Sequence, residues 1–265
     1  MDERATTPTS LDGALARALA FLEIHGNGLD RARQSGGAVA PPVPQNPDGG
    51  WPSAWSAGAS AILGTCQILD HLDGLELAGA DRTAALRFLA AGQAPDGSWS
   101  ETAGLAGWSG GEPPEWLRPG SSPARAYLTA YSARVLLVCA PDDPEFRPVV
   151  DHAAEALEWS LDPHGRLPGP LPGHWFAARV FRATDRVLQA RRLLDVVGRL
   201  FDQLDVADLA SFGADIDPAD RWARRIAVRL LTMQDQDGSW SAEGTDTPAL
   251  TAAVVRVLQP TVGLL

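Results

Sequence analysis

Three arginines, a few aromatic rings and four aspartates are the residues of this chain whose types and spacing could do chemistry. Arg179, Arg182 and Arg186 stand at i, i+3 and i+7, one face of a helix, in a chain of formal net charge -11. Such a stripe can grip a diphosphate, or it is a solvated face that Asp185 and Asp195 partly compensate. Tyr127 and Tyr131 stand at i and i+4 in an apolar stretch, so both rings share a face. Trp55, Trp108, Trp116 and Trp175 fall in loops or at helix starts. Ring faces attract positive charge, so these rings are candidates to line a cavity that handles a cation; core packing is the other reading. Asp246 precedes Thr247-Pro248, and Asp215, Asp217 and Asp220 are gathered in "DIDPADRW". An acid before a helix is a cap, or a proton donor where its surroundings keep it protonated.

Other chemistries are disfavoured. With 33 acidic against 22 basic residues, the chain repels phosphate backbones, so no nucleic-acid partner is expected. The histidines His25, His71, His152, His164 and His174 are scattered singly, and Cys66 and Cys139 have no neighbouring ligand, so no metal site is expected. Two distant cysteines, the polar and acidic "MDERATTPTS" in place of a signal-peptide pattern, and no apolar run of membrane-spanning length lead us to expect a cytoplasmic protein.

Behind these residues lies a repeat. "QNPDGGW" (45–51), "QAPDGSW" (93–99) and "QDQDGSW" (234–240) share Gln, Asp-Gly and Trp at identical spacing. Each follows an amphipathic stretch: Leu15, Leu19 and Leu22; Leu86, Leu89 and Ala90; Trp222, Ile226, Leu230 and Met233. Each precedes a more apolar one, "SAILGTCQILDHL", "SPARAYLTAYSARVLLV" and "TPALTAAVVRVL". The unit reads as a polar outer helix, a turn and an apolar inner helix. Asp-Gly allows the tight turn, Gln reaches helix-end backbone groups, and Trp covers the turn. "LDPHGRL" (161–167), after Val150, Ala154, Leu157 and Trp159, is a decayed fourth copy that keeps only its Gly. The apolar stripe Phe176, Val180, Val187, Leu194, Val197, Phe201, Leu204 is expected to pack on a partner or to break near Gly198. Stacked helical hairpins predict an all-α fold, an α/α toroid. It is expected as a single domain over 1–265, with insertions near 26–44 and 104–120 and an extra helical segment near 194–214.

The triple QxxDGxW resembles the QW motif of the prenyltransferase and squalene-oxidase repeat superfamily. That superfamily includes squalene-hopene cyclases, class II terpene cyclases and protein prenyltransferase β subunits. The resemblance implies an α/α toroid whose aromatic-lined cavity binds a polyprenyl or other hydrophobic small molecule and cyclises it by protonation. It implies no cofactor, except Mg²⁺ if the substrate is a diphosphate. The family's acid motif, Asp-x-Asp-Asp before Thr-Ala, is not present. Ala249 and Leu250 stand before Thr251-Ala252, Tyr127 and Leu128 before Thr129-Ala130, and Gly58 and Ala59 before Ser60-Ala61. Under the resemblance Asp246 is the first candidate acid, with Asp215, Asp217 and Asp220 behind it. The substrate-binding candidates are Tyr127, Tyr131, Trp55, Trp108, Trp175, Arg179, Arg182 and Arg186. The alternative is a non-catalytic subunit that completes the cavity of a second toroid protein or of a homodimer.

Overall fold

The computed structural model describes residues 10–26, 38–73, 75–77, 80–101 and 114–262. It is 60% helix and 2% strand, as expected for an all-α chain, and packed helices with the turns between them supply the core. Ten α-helices lie among the described residues. They are α1 (Leu11–His25), α2 (Ile62–His71), α3 (Arg82–Ala91), α4 (Ser122–Cys139) and α5 (Arg147–Trp159), then α6 (Pro172–Ala183), α7 (Val187–Leu200), α8 (Val206–Ala214), α9 (Arg221–Thr232) and α10 (Thr247–Leu258). Two-residue strand pairs, Trp51–Pro52 with Ser60–Ala61 and Ala38–Val39 with Glu76–Leu77, pin the loops around α2. None of these helices is long and apolar enough to cross a membrane.

The chain divides into two compact units, Gly36–Phe201 and Met1–Ser35 with Asp202–Leu265. In the first, α4 packs between α2 and α6, α3 lies on α2, α5 touches α4 and α6, and α7 lies on α6. In the second, α10 packs on α1, α8 and α9. Inner and outer helices differ as their sequences demand. All residues from Leu128 to Leu136 of α4 are buried, whereas α9 buries only Trp222, Ala223, Ile226, Ala227 and Leu230.

The repeated turns are built alike. The Asp carboxylate accepts from the amide two residues on: Asp48 from Gly50 N at 3.1 Å, Asp96 from Ser98 N at 3.1 Å, Asp237 from Ser239 N at 3.0 Å. The next residue is a glycine at φ 89°, 82° and 93° (Gly49, Gly97, Gly238). The Gln Nε2 donates twice. One bond goes to that glycine's carbonyl. The other goes to the start of a further outer helix: Gln45 to Asp81 O at 2.8 Å, Gln93 to Val149 O at 2.9 Å and Gln234 to Ala14 O at 2.9 Å. Each Trp is fully buried. Its indole donates to a backbone carbonyl, Leu89 O for Trp99 and Leu230 O for Trp240, while Trp51 uses Val43 O. Its amide donates to a threonine of the following inner helix: Thr65, Thr129 or Thr251, at 2.9, 3.0 and 3.1 Å.

These threonines correct the sequence alignment. The partner of Thr129 and Thr251 in the first copy is Thr65, not Ser60, so Leu63 and Gly64 occupy the places before it. The decayed copy keeps the turn: Gly165 has φ 75°, and Asp162 Oδ1 accepts from His164 and Arg166 amides, both at 2.8 Å. Leu167 is buried in the Trp place.

Several helical expectations need correction. Leu19 and Trp159 lie outside the buried faces, Trp159 at 87% exposure. The long stripe from Phe176 does not run through one helix to Gly198. It breaks at Thr184–Arg186, where Asp185 takes φ 60°, and again at the 3-10 turn Phe201–Gln203. Val187 is consequently exposed.

Gly238 tests the clamp. A Cβ there would lie 2.6 Å from Arg17 O, in backbone that side chains rarely adopt. Gly58 has similar φ but open space around it. Gly238→Ala is expected to destabilise by about 3 kcal/mol and Gly58→Ala by about 1 kcal/mol in urea unfolding; equal losses would refute the close-approach role.

Candidate functional site

The acids at helix ends sit in capping geometry. Asp246 is exposed and accepts from Ala249 N at 2.9 Å, the N-cap of α10. Asp220 caps α9, accepting from Trp222 N at 3.0 Å, and exposed Asp217 accepts from Ala219 N at 2.8 Å. Asp215 is the buried C-cap of α8. The Asp246, Asp220 and Asp217 side chains, committed to amides in this way, hold local backbone together, whereas Asp215 caps α8 through its own backbone N–H.

The arginine stripe is not one helical face. Arg179 and Arg182 lie on α6, but Arg186 lies past the break, ahead of α7. Its Nε donates to Glu158 at 3.4 Å and its Nη2 lies 3.9 Å from Glu155, both on α5. Arg179 and Arg182 are half-buried and have partners of their own.

The aromatic candidates do come together, in unequal degree. Tyr127 and Tyr131 lie one turn apart along α4 with ring centroids 5.8 Å apart, tilted by 47°. Phe176 of α6 joins them, 4.9 Å from Tyr131 in a near-parallel stack and 6.1 Å from Tyr127. Trp116, in the 3-10 turn Glu115–Leu117, meets Tyr127 edge-on at 5.2 Å. Trp175 is buried behind Phe176, 6.1 Å away. Trp55 is half-buried in the loop before α2, and Trp108 lies outside the described residues. Close contact follows from the small residues Ala124, Ala126, Ala130 and Ala133 on α4 and Gly173, Ala177 and Ala178 on α6.

Beside these rings lies a charged pair that sequence reasoning missed. Arg134 is buried; it pairs with Asp70 of α2, and its guanidinium lies 5.2 Å from the Phe176 ring centre. Tyr131 Oη donates to the other Asp70 oxygen at 3.1 Å. The only available signal was Arg134 at i+3 from Tyr131, an arginine inside an otherwise apolar helix. Burial, followed by the Asp70 charge, holds the Tyr131 hydroxyl protonated well above its ordinary range, so it stays a donor. One turn before Asp70, the buried Cys66 thiol lies 3.5 Å from Ser132 Oγ, and burial pushes its titration far upward, which leaves it unreactive. Cys139 is likewise pushed up, to about 11.

Glu101 was also missed. Two residues past Trp99, it bonds the amides of Ile62 at 3.1 Å and Leu63 at 2.7 Å, capping α2 from another hairpin. Burial raises its titration above the ordinary carboxylate range, against those two bonds. Among the described residues no group of three or more His, Cys, Asp or Glu could hold a metal ion.

No family model matches the sequence. No curated protein matches it significantly either.

Two outcomes are expected. Asp246→Asn should leave the thermal midpoint nearly unchanged, because Asn caps as well as Asp, whereas a midpoint drop of several degrees would show a role beyond capping. Because folded Glu101 binds its proton more tightly than the unfolded chain does, its contribution is greatest at low pH. That contribution is lost as pH rises through the raised value. The stability of the wild type relative to Glu101→Gln should therefore increase as pH falls from 7 towards 4.5. A decrease in urea midpoints over that range would mean that the bonds to α2 dominate.

Proposed function

We propose that this chain is a terpenoid-cyclase-like protein, an α/α toroid of QW-type hairpins that binds a polyprenyl or similar apolar ligand against the rings of α4 and α6. The observation that carries this reading is the face formed by Trp116, Tyr127, Tyr131 and Phe176 between two inner helices, with Trp116 and Tyr127 only half-buried. Rings in tilted and stacked array offer an apolar chain both contact area and polarisable faces. The order of the clamps supports the toroid: Gln45 reaches α3, Gln93 reaches α5, and Gln234 reaches α1. The reading places the protein in the cytoplasm, where Cys66 and Cys139 persist as free thiols.

Binding is better supported than cyclisation by this chain alone. Protonating an alkene needs a buried, protonated acid. Asp246 is an exposed cap, and Asp70 accepts from Arg134 and Tyr131. The places before Thr65, Thr129 and Thr251 hold no aspartate. That absence favours the second reading, a subunit that shares its ligand with a second toroid protein or another copy carrying the acid.

The test is incubation of the purified protein with squalene and geranylgeranyl diphosphate, with and without Mg²⁺, followed by mass analysis and by titration of tryptophan fluorescence. Saturable binding is expected, weakened about tenfold by Tyr127→Ala, a half-buried site where truncation removes ring contact. Product formed without a partner supports the cyclase; binding without product supports the subunit. No binding of any isoprenoid would sink both.

A further inference from the structure

Resting on the reading that an isoprenoid lies against α4 and α6, we infer that the ligand is an uncharged isoprenoid, a hydrocarbon or an alcohol, and not an isoprenoid diphosphate. A diphosphate is multiply charged, and a protein that grips one must supply cations whose charge is not already engaged. Among the described residues, the arginines of α4 and α6 and of the turns beside them each have a partner. Arg134 is buried, pairs with Asp70 and covers Phe176. Arg125, one turn before Thr129, bonds Asp96, and its Nη2 donates to Ser98 Oγ at 3.0 Å in the second clamp. Arg118, near Trp116, has a partner of its own, as do Arg179 and Arg182. Arg186 is turned to Glu155 and Glu158 of α5.

What remains is acidic. The Asp70 side chain keeps 32% of its surface open. At the Tyr131 hydroxyl the Asp70 carboxylate outweighs Arg134. The ring faces themselves carry negative potential, and the formal charge of -11 repels anions at longer range. An apolar chain with a neutral head meets none of these costs, and a hydroxyl head finds Asp70 as its acceptor.

The test compares geranylgeraniol with geranylgeranyl diphosphate, which share one chain and differ only in the head, by fluorescence titration of the full protein. The alcohol is expected to bind at least about tenfold more tightly. Equal affinity, or preference for the diphosphate with or without Mg²⁺, overturns the inference while leaving isoprenoid binding standing; if neither ligand binds, the function proposed above falls with it. Asp70→Asn removes the charge that masks Arg134 and should raise diphosphate affinity about fivefold or more. Asp70→Asn combined with Arg134→Met should abolish that gain. An unchanged diphosphate affinity in a folded Asp70→Asn protein refutes the masking account. Should that variant not fold, the wild-type comparison of heads decides.

Discussion

One primary amide, bonded to two carbonyls that belong to different segments, is the interaction on which the hairpins depend. The glutamine Nε2 has two hydrogens. In each clamp one satisfies the carbonyl of the turn's own glycine, and the other a carbonyl in or just before the first turn of another outer helix. The second bond forms only where the turn lies almost in contact with that helix, which is why the residue after the Asp is a glycine with no side chain. A Cβ on Gly49 would come within 2.5 Å of Ala84 O. Tryptophan then fills the space under the turn, and a threonine hydroxyl on the inner helix takes its amide. Four residue types at fixed spacing thus answer four separate backbone demands, and loss of any one leaves a buried polar group or a void.

The clamps were legible because each is local: Gln, Asp, Gly and Trp lie within seven residues and have known backbone preferences. The threonine was not, since its distance from the Trp varies with the loop between them, from 11 residues in the last copy to 30 in the second. Amphipathic faces were read correctly for α3 and α9 in the main. The run from Phe176 was misread because its break rests on Asp185 in left-handed backbone, with neither Gly nor Pro to mark it. Arg186 was therefore assigned to a stripe from which the chain removes it.

The candidate site divides in the same way. Two tyrosines at i and i+4 announce a shared face. Asp70, Arg134 and Phe176 are brought together only by packing across α2, α4 and α6, and no periodicity within one helix carries that information. An ion pair whose arginine is buried is a costly feature that well-packed apolar residues commonly replace without loss. Here the guanidinium is held by a carboxylate on one side and a ring on the other, and the carboxylate also fixes a phenol. The pair acts less as cement than as the element that orients Tyr131 and Phe176 relative to each other.

The bond between Gln234 and Ala14 joins residues 220 apart in sequence. Synthesis makes α1 well before its seat. Until Gln234 and Gly238 exist, the buried face of α1 (Ala14, Leu15, Ala18, Phe21, Leu22) lacks the turn that fixes its position. Contacts of this span come at a high entropic cost in loop closure and slow folding. In the nascent chain the apolar face of α1 therefore stays unseated until some 220 further residues have been made, and exposed apolar surface of that kind is open to wrong contacts in the meantime.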